Sequence, residues 1–122
     1  MVRVLFDSSF LMAVAEKPTM WLDDIQQLLG SVQPTLISST AKELSRMAAG
    51  QGRRSKSAAL ALELAKDFVV QPSGTGKVDD ELVSSALSFH AAVATLDGEL
   101  VKTLKARKVT VVGLRRGRVS LL

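Results

Sequence analysis

Apolar residues fall along this chain in short blocks that alternate between two periods. Val2–Phe6 (VRVLF) is a compact β-branched and apolar run ending at Asp7, the pattern of a strand covered on both faces. Ser8–Glu16 follows with helical spacing, with Pro18 as its stop, and Thr19–Leu29 places Trp21, Ile25, Leu28 and Leu29 on one helical face ahead of Gly30. Thr35–Ser38 predicts a second strand. Thr40–Ala49 predicts a helix halted by Gly50, Gln51–Ser55 a polar basic loop, and Lys56–Asp67 a long Ala/Leu-rich helix. Phe68–Gln71 reads as a third strand and Pro72–Lys77 as a loop. Asp79–Phe89 is helical, Ala92–Thr95 a fourth strand, Asp97–Arg107 a helix and Val109–Val112 a fifth strand. Arg118–Leu122 can add a short edge strand after the turn at Gly117. Apolar strands alternating with helices predict an α/β fold: a three-layer α/β/α sandwich around a mainly parallel five-stranded sheet.

The chain has 122 residues, the size of a single domain, so one domain over 1–122 is expected. No apolar run is long enough to span a membrane, and the start lacks the apolar core of a signal peptide, so the expected location is the cytoplasm. Cysteine is absent and histidine occurs once, at His90. This excludes disulfides, thiolate zinc sites, cysteine nucleophiles and multi-histidine metal sites. Chemistry here must run on carboxylates, hydroxyls, lysines and arginines.

Sixteen basic against 12 acidic residues give a net charge of +4, but their placement matters more. Between Leu44 and Leu62 there is no acid, while Arg46, Arg53, Arg54 and Lys56 crowd together. From Val101 onward there is again no acid, against Lys102, Lys105, Arg107, Lys108, Arg115, Arg116 and Arg118. Two such tracts suit a polyanion, most simply nucleic acid; the bland alternative is a solvated surface.

In a parallel sheet the working site lies beyond the C-terminal strand ends, where strand order reverses. Asp7 directly follows the first strand and Asp97 follows the fourth. Glu43 lies one turn into the helix after the second strand, and Asp80 opens the helix after the third, with Asp79 beside it as the competing assignment. Each acid has an ordinary explanation as a helix cap, and Thr40 to Glu43 is a formal capping box. Four acids on one edge without neutralising bases repel one another, however, and a hard divalent cation, magnesium or manganese, relieves that cost.

Three further features carry less. Gly74-Thr75-Gly76-Lys77 fails as a phosphate-binding loop, because Gln71 and Val78 stand where glycine and a hydroxyl are needed. His90 reads as structural, and Trp21 as core or a pairing surface. Aromatics are only 4% of the chain, so a strand of RNA would be held by backbone and shape rather than by base stacking.

RVLFDSSFLM, STAKEL, KVDDELVSSAL and VATLDGELVKTLKARKVTVVGLRRGRV together resemble the PIN-domain nucleases over essentially the whole chain. The likeness is to the small archaeal branch similar to the ribosomal-RNA-processing PIN nuclease of the small-subunit processome, and to VapC toxins. The resemblance implies a magnesium- or manganese-dependent endoribonuclease whose catalytic and metal-binding acids are Asp7, Glu43, Asp80 and Asp97. Ser9 and Thr95 occupy supporting positions; family members often carry Asn where Ser9 stands and a polar or basic residue where Gly98 stands. RNA, single-stranded or ribosomal, would lie on Arg46, Arg53, Arg54, Lys56, Arg115 and Arg116. The expected assembly is a homodimer whose two basic surfaces form one groove, with an antitoxin or a ribosome-assembly protein as partner. Competing functions are a toxin ribonuclease, a non-catalytic RNA-binding or assembly domain, and a phosphatase or flap nuclease acting on DNA.

Overall fold

The structure, a computed structural model, describes residues 1–17 and 19–122; the helix stop expected at Pro18 lies outside the described residues. Elements run β1 (Val2–Phe6), α1 (Ser8–Glu16), α2 (Trp21–Leu29), β2 (Val32–Ile37), α3 (Ser38–Ala48), α4 (Arg53–Leu64), β3 (Val69–Gln71), α5 (Val78–Phe89), β4 (Ala92–Ala94), α6 (Gly98–Ala106), β5 (Val111–Arg115) and β6 (Arg118–Leu121). The sheet has six strands in the order β3-β2-β1-β4-β5-β6, parallel except for the last pair. The sixth strand enlarges the expected five-stranded core by the C-terminal hairpin. At its tip Arg116 and Gly117 both take positive φ, 52° and 76°, the backbone twist that tight hairpins need.

Side chains alternate across the sheet and divide the core in two. Val4, Phe6, Leu36, Ala94 and Val112 pack on one face against Phe10, Leu11 and Val14 of α1, Ile25 of α2, Leu44 of α3, and Ala58 and Ala61 of α4. Leu5, Ile37, Val93 and Val111 pack on the other against Leu82 and Ala86 of α5 and Leu100 and Leu104 of α6. Phe6 is fully buried and meets Phe10, Trp21 and Phe68 at ring-centroid distances of 5.6, 5.4 and 5.2 Å, which assigns Trp21 to the core. No helix among the described residues is long and apolar enough to cross a membrane.

Several boundaries move for physical reasons. β2 begins at Val32 and passes through Pro34, because pairing with β3 starts only at Thr35↔Val69 and Pro34 has no partner to fail on that side. α3 begins at Ser38, so Thr40 is already inside the helix rather than at its start. α4 begins at Arg53, which puts Arg53 and Arg54 on its first turn and not in a loop. β5 runs on to Arg115 because β6 pairs with it through Arg115↔Arg118. The Leu122 side chain fills the space beside Gly113, where a Cβ would stand 2.7 Å from Leu122 Cδ1.

Candidate active site

The connection after β1 leaves through α1 and α2 on one face of the sheet, whereas the connection after β4 leaves through α6 on the other. β1 and β4 are neighbours, so the strand order switches between them and a crevice opens at their C-terminal ends. Phe6 and Ala94 are register partners, and the next residue on each strand, Asp7 and Thr95, stands at its lip.

Asp7 is only 5% exposed, and its amide donates to the Ala94 carbonyl at 2.9 Å. Its Oδ2 accepts hydrogen bonds from Ser9 Oγ and from Thr95 Oγ1, each at 2.7 Å. The two hydroxyls lie 3.3 Å apart. They are oriented in turn, since Ser9 Oγ accepts from the Leu96 amide at 3.0 Å and Thr95 Oγ1 from the Asp97 amide at 3.1 Å. A carboxylate held by two hydroxyls that are themselves held has one rotamer, which suits a group that must meet a ligand at fixed geometry.

The capping explanation can now be settled acid by acid. Asp97 is the N-cap of α6, its Oδ1 accepting from the amides of Glu99 at 3.0 Å and Leu100 at 3.4 Å. Asp7 is the N-cap residue of α1 but makes no side-chain cap bond, and α3 and α5 have Ile37 and Lys77 at their N-caps, likewise without one. Glu43 does not bond back to Thr40: its Oε1 accepts from Ser8 Oγ at 2.7 Å, tying α3 to the first residue of α1, and Thr40 Oγ1 is buried without a partner. Capping therefore accounts for half of one carboxylate.

Between the adjacent acids of α5, helix geometry favours Asp79. The buried stripe of that helix includes Leu82 and Ala86, three and seven residues beyond Asp79, while Asp80 is turned about 100° away. Partial burial, then the charges of Asp7, Asp97, Glu43 and Asp80, hold the Asp79 carboxyl above the ordinary aspartate value. Asp79 thus lies within electrostatic reach of the acids contributed by β1, α3 and α6. Glu81 turns the other way and accepts from the Gly74 amide.

None of these five acids has a basic partner among the described residues, where the ion pairs are Arg53–Glu16, Lys66–Glu63, Lys102–Glu99 and Arg118–Asp24. Among the described residues no group of three or more acidic or histidine side chains is by itself disposed to enclose a metal ion. The donor set nevertheless fits a hard divalent cation: it is all carboxylate and hydroxyl oxygen, uncompensated by base, on an open rim. Magnesium commonly uses one or two carboxylates and completes its shell with water and phosphate.

Sequence reasoning missed three supports. Ser8, which holds Glu43, is one. The second is a hydroxyl knot in which Ser73 Oγ sits 3.0 Å from Ser38 Oγ and 2.7 Å from Ser39 Oγ, fastening the loop before α5 to the start of α3. The third is a bidentate ion pair: Arg118 Nε and Nη2 donate to Asp24 Oδ2 and Oδ1 at 3.0 and 2.9 Å. The guanidinium holds the Asp24 carboxyl below its ordinary range, and the carboxylate raises Arg118 in return. This pair docks the β5–β6 hairpin on α2. Because the Thr95 amide bonds the Val112 carbonyl, Arg115 and Arg116 stand three and four residues beyond the lip, about 10 Å along the strand direction. Of the other predicted contact residues, Arg46 follows Glu43 by one helical turn, and Arg54 and Lys56 are exposed on α4, but Arg53 is drawn to Glu16 at 3.7 Å.

Residues 4–118 match the PIN-like domain family. In three dimensions the chain is similar to the PIN domain endonuclease Utp24, with a TM-score of 0.76 and 21% identity over 98% of this chain and 90% of that one. It is also similar to PAE2754 from Pyrobaculum aerophilum, with a TM-score of 0.53 and 20% identity over 87% of this chain and 88% of the other. No curated protein matches it at a significant level. With its motifs in order along a sheet of this topology, the chain belongs to the PIN-like domain family, the nuclease family that those motifs resemble.

Proposed function

We propose that this protein is a magnesium- or manganese-dependent endonuclease that hydrolyses RNA phosphodiesters, in the processing of ribosomal RNA. The observation that carries the reading is a lip of carboxylates, Asp7, Glu43, Asp79 and Asp97, without a basic counterion and mostly not engaged in capping. In this assignment Asp79 takes the place that motif matching gave to Asp80. When bound, the divalent ion lowers the pKa of the attacking water and offsets charge on the phosphoryl oxygens. The chain's own part is to fix the donors: Ser9 and Thr95 clamp Asp7, the α6 amides hold one oxygen of Asp97 and leave Oδ2 free, and Ser8 holds Glu43. Arg115 and Arg116 on the docked hairpin, with Arg46, Arg54 and Lys56 of α3 and α4, would hold the phosphate backbone.

Asp7→Asn keeps the shape of the site and removes its most ordered charge. The variant should melt as a folded protein and lose metal-dependent RNA cleavage; cleavage that survives would overturn the assignment. Parallel assays on single-stranded RNA, single-stranded DNA and flap substrates test the substrate class. Absence of any manganese-induced rise in melting temperature would favour a non-catalytic RNA-binding role. We also propose a homodimer, supported by a mainly apolar groove of about 460 Å³ between α1, α2 and α4, lined by Val14, Ala15, Trp21, Leu60 and Leu64 with Thr19 and Glu63. A monomeric mass by light scattering at micromolar concentration would refute it.

A further inference from the structure

The opposite edge of the sheet, where β1, β4 and β5 begin, carries the reverse charge. A cleft of about 440 Å³ opens there between the C-terminal ends of α2, α5 and α6. Its floor is apolar, including Val2, Leu29 and Ala91, and its walls carry His90, Arg107 and Lys108. A second cleft of about 620 Å³ shares Val2 and His90 with the first and extends it past Phe89 to Arg3, whose guanidinium lies 4.8 Å from the centre of the Phe89 ring. No acidic side chain lines either cleft. Among the described residues Arg3, Arg107 and Lys108 pair with no carboxylate. His90, Arg107 and Lys108 are exposed. A continuous basic trough of nucleotide-scale volume therefore lies about 16 Å from the acidic lip, the length of β1.

Bases at the end of α6 also complement its dipole, which accounts for Arg107 and the adjacent Lys108. It does not account for the absence of acids along the whole trough, nor for Arg3, a strand residue whose guanidinium donates to Gln33 Oε1 at 3.4 Å and Gln71 Oε1 at 3.5 Å but meets no carboxylate. An apolar floor with cationic walls is complementary to a nucleic-acid strand, with phosphates on the walls and a base or ribose against the floor.

We propose that this trough is a second, non-catalytic nucleic-acid site that anchors a strand whose other segment reaches the acidic lip. Only the last clause rests on the nuclease reading, because anchoring is a binding property that needs no cleavage. The test uses the full-length protein carrying Asp7→Asn, with and without Arg107→Gln and Lys108→Gln, titrated against a long single-stranded RNA at several salt concentrations. Losing two phosphate contacts should weaken binding roughly five- to tenfold and flatten the log–log salt dependence by about 1.4. The melting temperature should stay put, and the charge-preserving pair Arg107→Lys and Lys108→Arg should restore binding. With Asp7 intact, the neutralised pair should cleave a short oligonucleotide covering the lip at the wild-type rate. An unchanged Kd and salt slope would overturn the proposal, as would equal loss in the charge-preserving pair or displacement of the RNA by polyglutamate at matched charge. If the neutralised pair lost RNA binding while no variant or wild type showed cleavage, the anchor would stand and the nuclease reading would fall.

Discussion

Replacing Thr95 with Val probes the hydroxyl scaffold around Asp7 with almost no change of shape. Thr95 is fully buried, and its Oγ1 donates to Asp7 Oδ2 at 2.7 Å while accepting from the Asp97 amide at 3.1 Å. Valine removes both bonds and leaves a methyl against a carboxylate. A hydrogen bond to a charged group contributes about 1.5–3 kcal/mol, and a backbone amide left without its acceptor costs about 1 kcal/mol more, so the loss should be about 3 kcal/mol. For a chain of this size that lowers the melting temperature by roughly 9–12 °C. Thr95→Ser keeps the hydroxyl and loses one buried methyl, at about 1 kcal/mol. Calorimetry on the wild type and both variants measures the difference, and manganese-dependent cleavage should fall much further for Val than for Ser. Should Val prove as stable as Ser, the hydroxyl would not be holding Asp7, and the argument for a preorganised carboxylate would fail.

Asp79 and Asp97 should respond to substitution with opposite signs in metal-free protein. Asp79→Asn relieves repulsion on a largely solvated group and should stabilise by less than about 1 kcal/mol at neutral pH. Because the folded-state pKa of Asp79 is raised, that advantage should vanish as pH falls through it; a destabilised variant at neutral pH would remove Asp79 from the cluster. Asp97→Ala removes a cap that accepts two amides and should cost about 1 kcal/mol, read in the same melts. Ser8→Ala frees Glu43 from α1 and should lower cleavage with only about 1 kcal/mol of stability lost; unaltered kinetics would show that Glu43 needs no anchor. The Arg118–Asp24 clamp has the sign of a lowered carboxylate pKa: its contribution is present above the ordinary aspartate range and is lost as pH falls through the lowered value. Amide protection factors across Arg115–Val119, corrected for the intrinsic exchange rate at each pH, should fall in acid, and in Asp24→Asn already at neutral pH; equal protection in that variant would refute the clamp.

Much of this architecture was readable because burial and periodicity coincide. β1 and β4 are apolar runs flanked by turn residues, and the two acids that follow them are the ones the crevice presents. What escaped involved contacts that no local pattern announces. Asp24 and Arg118 are 94 positions apart, and each looks like an ordinary surface residue of its own segment. The edge strand expected after Gly117 is present, but the extension of β5 to Arg115 that pairs with it is set by cross-strand pairing and two positive-φ residues. Between Asp79 and Asp80, the short motif favours Asp80 and the helical repeat from Leu82 and Ala86 favours Asp79. The capping box at Thr40 failed because the helix begins two residues earlier, at Ser38. His90, read as structural, ends α5 in a left-handed turn with φ of 50° and is exposed.

The pairing of β1 with β4 also bears on how the protein is made. Asp7 leaves the ribosome well before the hydroxyl that clamps it, which arrives 88 residues later. Closing a loop of that length is entropically slow compared with forming the helices in between. A prematurely terminated polypeptide ending before Thr95 would therefore carry a lone carboxylate and no crevice. The clamped carboxylate is thereby withheld until β4 and the residue after it have been made.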